Sequence, residues 1–178
     1  RIQWIGSKRV KASGKLLPVR IMAKALGNGF PVGAMIATEE VAKSLAFGTH
    51  GSTYGGNPMA AAIAEAVIDI VDTPEVLEGV NKRHQLFVDA LTAINEKYDV
   101  FKDIRGMGLL VGAEVKDELA GHAKDFLANA AQEGLLVLVA GPNVIRFTPS
   151  LIVPEADIKE GFERFERAVA KTAADLKK

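Results

Sequence analysis

Ala23-Lys24-Ala25-Leu26-Gly27-Asn28-Gly29-Phe30-Pro31-Val32-Gly33-Ala34 is the stretch whose reading decides the fold. A single lysine stands between an apolar run and a glycine-rich turn, so its amine is presented at a strand end where the backbone can approach a ligand closely. A lysine that condenses with an aldehyde wants that setting, because the amine must be neutral to attack and partial desolvation favours the neutral form. By residue chemistry alone, a solvated loop lysine fits the same stretch.

A second polar glycine loop follows, with Gly48, Thr49, His50, Gly51, Ser52, Thr53, Tyr54, Gly55 and Gly56. Backbone amides and hydroxyls in such a loop can wrap an anion; a plain surface connection reads equally well. Asn57-Pro58 then marks a helix start, with a capping side chain before proline at the first helical position. Met59, Ile63, Val67 and Ile70 recur at helical spacing among alanines, which predicts a core helix whose N-terminal end favours a nearby phosphate. Between the two loops, Val32 to Ala37 predicts a short buried strand, and Thr38-Glu39-Glu40 caps a helix running to Ala46.

A long helix is predicted from Thr73-Pro74-Glu75, with Val76, Val80, Phe87, Leu91 and Ile94 on one face. His84 shares that face, where a packed or hydrogen-bonded role is expected. Beyond Lys97, strands are expected at Val100 to Ile104, Leu109 to Val115, Leu135 to Val139 and Asn143 to Thr148. One helix is expected from Leu119 to Gln132. A last one opens at Pro154 and buries Ile158, Phe162, Phe165 and Val169. This order predicts an α+β unit with helices on one sheet face. In Val144-Ile145-Arg146-Phe147, Arg146 shares a face with Val144. Its guanidinium cannot shed its charge, so it needs an anion, either an internal carboxylate or a ligand.

With 178 residues and 48% hydrophobic content the chain can bury a real core. Twenty-two basic residues balance twenty-two acidic ones, which gives no electrostatic reason to expect nucleic acid or an anionic membrane as partner. Cysteine is absent, so no disulfide or thiolate metal site forms. His50, His84 and His122 are too widely spaced to suggest a metal centre. Without a membrane-length apolar run or a signal-peptide core, a cytoplasmic chain is expected. Residues 1 to 22 read as a basic, weakly periodic face; Gly14-Lys15-Leu16 lacks the spacing and the hydroxyl of a phosphate loop.

The sequence AKALGNGFPVGAM, followed by the Gly48–Gly56 loop, closely resembles the class III aminotransferases, in particular the acetylornithine and succinylornithine aminotransferase branch. The resemblance runs from about Ala23 to the C-terminus. It implies an α/β chain: the C-terminal part of a fold type I large domain, followed by a small α+β domain. Residues 1–97 then hold the partial cofactor-binding domain with an interdomain helix, and residues 98–178 the small domain. It also implies that Lys24 carries pyridoxal 5′-phosphate (PLP) and moves the substrate proton. Thr53 matches a position that binds the cofactor phosphate across a homodimer interface, and Ser52 a position close to substrate. Arg146, in Arg-Phe-x-Pro, matches an arginine that pairs with a glutamate or takes a substrate carboxylate. Arg105-Gly106-Met107-Gly108 resembles the family's Arg-Gly-x-Gly turn.

The expected reaction moves the terminal amino group of N-acetylornithine, or of an N-succinylated relative, to 2-oxoglutarate. Asn28 replaces the family's common central glycine, and asparagine tolerates the left-handed backbone such a turn needs. Ile21 and Met22 stand where hydroxyl residues are usual. The family's other active-site parts lie upstream of the matched region, so a catalytically silent PLP-binding or assembly module is the alternative expectation.

Overall fold

The computed structural model describes residues 19–46, 48, 49 and 51–176. Two units emerge, residues 1–73 and residues 74–178. The division falls before the long helix rather than near Lys97.

In the first unit, β1 (Val19–Met22) and β2 (Ala34–Ala37) pair antiparallel, Val19 opposite Ala37 and Met22 opposite Ala34. Between them lies a 3-10 turn at Lys24–Gly27, entered through extended Ala23. The turn is closed by hydrogen bonds from Leu26 N to Ala23 O (3.2 Å) and from Asn28 N to Ala25 O (3.1 Å). A Cβ on Gly27 would meet Val32 Cγ1 at 2.6 Å, so only glycine lets the chain double back here. Asn28 adopts φ 44°, ψ 48°, the left-handed conformation expected of it. The helix α1 (Glu39–Ala42) is a single turn that stops short of Ala46; Thr38 Oγ1 accepts from Val41 N at 3.5 Å.

The next helix, α2 (Pro58–Val71), starts as its sequence dictates: Asn57 Oδ1 accepts from Ala60 N at 2.8 Å, and proline occupies the first position. It buries Ala60 and Ala64, while Met59 and Ile70 are 64% and 66% exposed. The expectation that its large apolar residues form the core is therefore corrected: the alanine stripe allows close approach, and the long side chains stand outside it. β2 is a strand as expected but not a buried one, since Met35 and Ile36 are about half exposed. A two-stranded sheet has no second layer of its own to cover both faces.

The second unit begins with α3 (Pro74–Tyr98) and continues through β3 (Phe101–Met107), β4 (Leu110–Val115), a 3-10 turn at Asp117–Leu119, α4 (Ala123–Gln132), β5 (Leu138–Ala140), β6 (Val144–Phe147) and α5 (Glu155–Asp175). The four strands form an antiparallel sheet in the order β3-β4-β6-β5. Alternation along β4 and β6 buries Val111, Ala113, Val115, Ile145 and Phe147 on one face. Onto that face pack Phe87, Leu91 and Ile94 of α3, Phe126 of α4, and Ile158, Phe162, Phe165 and Val169 of α5. This shared core explains the position of the division: the apolar stripe of α3 is spent on the C-terminal sheet. The predicted helix at 119–132 is split, because Gly121 takes φ 90° and α4 starts only at Ala123.

Thr172 is the buried polar residue of this core; its Oγ1 donates to Ala168 O and accepts from Asn129 Nδ2, both at 2.8 Å. Thr172→Val removes both bonds and strands the Asn129 amide, so chemical denaturation should show a loss of about 1–2 kcal/mol.

Candidate active site

Lys24 follows β1 with only Ala23 between, and it is exposed with φ 56°. A lysine in the left-handed region costs on the order of 1–2 kcal/mol, and such outliers gather where a side chain must be aimed. Among the described residues its amine makes no hydrogen bond or ion pair. The 3-10 turn packs on α2, so the loop leading into α2 and the lysine turn are supported by one helix. Ser52 and Thr53 sit on that loop, exposed, with hydroxyls that hydrogen-bond to no described residue. The loop is fixed by Asn57, whose Nδ2 donates to Tyr54 O at 2.8 Å. Phe47 and His50 lie outside the described residues. The free primary amine suits an aldehyde, and the free hydroxyls of the glycine loop separately suit a phosphate.

Arg146 belongs to the second unit. Register places it opposite Gly112 on β4 and Leu138 on β5, on the sheet face away from the helices. Gly112 offers no side chain there, and the space over it is closed by Val144, whose Cγ1 would lie 3.1 Å from an added Cβ. The guanidinium Nε is buried and has no hydrogen-bond partner. Arg146 borders a cavity of about 310 Å³ with Leu136, Leu138, Thr148, Pro149 and Val153. A buried donor without an acceptor costs about 1–3 kcal/mol, a debt that a carboxylate ligand would cancel. Of the two partners left open by the sequence, no carboxylate among the described residues pairs with Arg146, although Asp157 lines the same cavity. The cavity walls escaped the sequence reading; the one signal for them was the apolar run Leu135–Leu138 next to the Arg-Phe strand.

Arg105, in the same cross-strand row as Gly112 and Arg146, is already spent. Its Nη1 donates to Asp103 at 2.5 Å and to Glu114 at 2.7 Å, and Lys102 reaches Glu114 at 3.1 Å. Arg105 first, then Lys102, holds the Glu114 carboxyl below the ordinary carboxylate range. A depressed folded-state pKa contributes stability above the unfolded value that is lost as pH falls through the folded one. The thermal midpoint should therefore drop on acidification below the ordinary glutamate range. Glu114→Gln should flatten that limb slightly, and high salt should shrink the difference. His84, as expected, is a hydrogen-bonded helix residue: its Nδ1–H donates to Gly108 O at 2.7 Å, since a carbonyl only accepts.

No group of three or more His, Cys, Asp or Glu among the described residues is arranged to hold a metal ion. No helix among them is long and apolar enough to cross a membrane.

The aminotransferase class-III family profile matches residues 18–169. The chain belongs to the class III aminotransferases. It is 60% identical over 152 residues to the acetylornithine aminotransferase of Shewanella oneidensis, an alignment covering 85% of this chain and 38% of the relative. Against the acetylornithine/succinyldiaminopimelate aminotransferase of Yersinia pestis it is 58% identical over 148 residues, 83% of this chain and 36% of the other. The crystal structure of N-acetylornithine aminotransferase from Stenotrophomonas maltophilia superposes with a TM-score of 0.81 at 38% identity, covering 90% of this chain and 42% of that one. The chain thus spans less than half the length of the relatives it matches, and its fold is that part of a fold type I, PLP-dependent aminotransferase. Class III aminotransferases work with PLP, and the free amine at Lys24 suits that cofactor.

Proposed function

We propose that this chain supplies the lysine-bearing and C-terminal part of an aminotransferase acting on N-acetylornithine or a related N-acylated diamino acid, with 2-oxoglutarate as acceptor. The observation that carries the reading is Lys24: an unpaired amine at a strand end, on a backbone held left-handed, in a chain of this family. When bound, PLP supplies an electron sink for the carbon that loses its proton. Lys24 Nζ would hold the cofactor, and as a free amine it would carry the proton away from the substrate carbon and back. Thr53 and Ser52 give hydroxyls to the phosphate and to the substrate side. We assign that loop to the site of a second copy, so two copies complete each site. Arg146 takes a carboxylate of the oxo acid, which satisfies its buried Nε.

The names of the relatives support an acylated ornithine or diaminopimelate as the amino donor. The second reading, a module that holds PLP without turnover, draws support from the exposed Met59 and Ile70 of α2, a surface suited to assembly. One experiment separates the two. PLP is added and the visible absorbance of lysine-bound cofactor is read, then N-acetylornithine and 2-oxoglutarate are supplied and glutamate is measured. Absorbance with glutamate supports the enzyme, absorbance alone the silent module, and neither contradicts both. Thr53→Ala should weaken PLP retention about tenfold while leaving the band position unchanged, as read by cofactor titration.

A further inference from the structure

We propose that Arg83 of α3 is a positioning residue for the Arg146 carboxylate pocket. This rests on the reading of Arg146 given above.

One wall of the cavity is the segment between β6 and α5, residues 148–154, to which Thr148, Pro149 and Val153 contribute. Leu151 and Val153 of that segment pack partly buried against the core, and Pro154 O accepts from Asp157 N and Ile158 N at the start of α5. The segment's own turn is closed by Val153 N donating to Ser150 O at 3.1 Å and by a long 3.4 Å bond from Ile152 N to Ser150 Oγ. Pro149 and Pro154 have no N–H to give. Among the described residues its long-range hydrogen bond comes from Arg83, whose Nε donates to Val153 O at 2.7 Å across a sequence separation of 70 residues. Arg83 is half-buried, which favours a fixed guanidinium over a solvated one. Its neighbour His84 holds the β3–β4 turn through Gly108 O, and β4 carries Gly112, the residue opposite Arg146. Two consecutive residues of α3 therefore anchor the chain segments on both sides of the orphaned arginine.

The adjacent Lys82–Glu155 pair, 2.6 Å long, reaches the start of the same helix but is well exposed at both ends. Pairs of that kind contribute little. The bond to a partly buried carbonyl is the one expected to set the position of Val153, and through it the width of the pocket beside Arg146.

The test is a 2-oxoglutarate titration of the full 178-residue chain, followed through the Arg146 Nε–Hε signal by ¹⁵N NMR, with the amide spectrum reporting the fold. Arg83→Met should weaken binding about tenfold, and Arg83→Lys, whose amine can still reach a carbonyl, should recover most of it. Glu155→Gln should bind within about twofold of the parent. Should Arg83→Met fail to fold, Gly79→Ala replaces it: alanine favours the helix, but its Cβ would collide with Arg83 Nη1 and displace the guanidinium. That variant should bind about threefold or more weakly. Folded Arg83→Met or Gly79→Ala chains that bind like the parent overturn the proposal and leave the Arg146 reading standing. A parent chain whose Arg146 signal ignores 2-oxoglutarate overturns both.

Discussion

Lys24→Ala, incubated with PLP, is expected to show no absorbance of lysine-bound cofactor and to lose transamination by more than about 10³-fold. In the proposed function the amine is both the attachment point and the proton carrier, and each role alone is worth orders of magnitude. Lys24→Arg should fail equally, because a guanidinium stays protonated and cannot attack an aldehyde. Neither change should unfold the chain: Lys24 is exposed and without a partner among the described residues, so no packing is lost. Activity gone with folding intact is the combination that sets a chemical lysine apart from a structural one. Absorbance spectroscopy together with thermal melting reads both in one preparation.

Arg146→Met is expected to move two measurements in opposite directions. Losing the guanidinium removes the proposed carboxylate partner, so the dissociation constant for 2-oxoglutarate should rise by roughly thirty- to thousandfold, or about 2–4 kcal/mol. Folding stability should rise by about 1 kcal/mol, because an unsatisfied buried donor gives way to an apolar side chain against Leu138, in a cavity lined by Phe147 and Val153. A residue kept at a cost to stability is explained by what it binds. Equilibrium denaturation and calorimetric titration of the same variant check the pair of signs.

Much of this arrangement was legible before any coordinates. Asn57-Pro58 starts α2 through capping chemistry that is local in sequence. The core faces of α3 and α5 followed from periodicity, since Phe87, Leu91, Phe162 and Phe165 are buried where a helical stripe puts them. Arg146 fell on the face away from the core because strand side chains alternate. What was not legible depended on contacts distant along the chain. The apolar spacing of α2 promised a buried helix, yet alanine, not methionine or isoleucine, lines its buried side. β1 was missed because Arg20 interrupts the apolar run of Val19, Ile21 and Met22, and its pairing with Ala34–Ala37 lies across the turn. The bond from Arg83 to Val153, and with it the pocket wall, has no local signature at all.

Reduction of the PLP-treated chain with borohydride, followed by peptide mass mapping, tests the central assignment most directly. The account predicts one stoichiometric pyridoxyl label, on the peptide containing Lys24, and none in Lys24→Ala. A label spread over exposed lysines such as Lys43 or Lys171, or one that persists in Lys24→Ala, would contradict it.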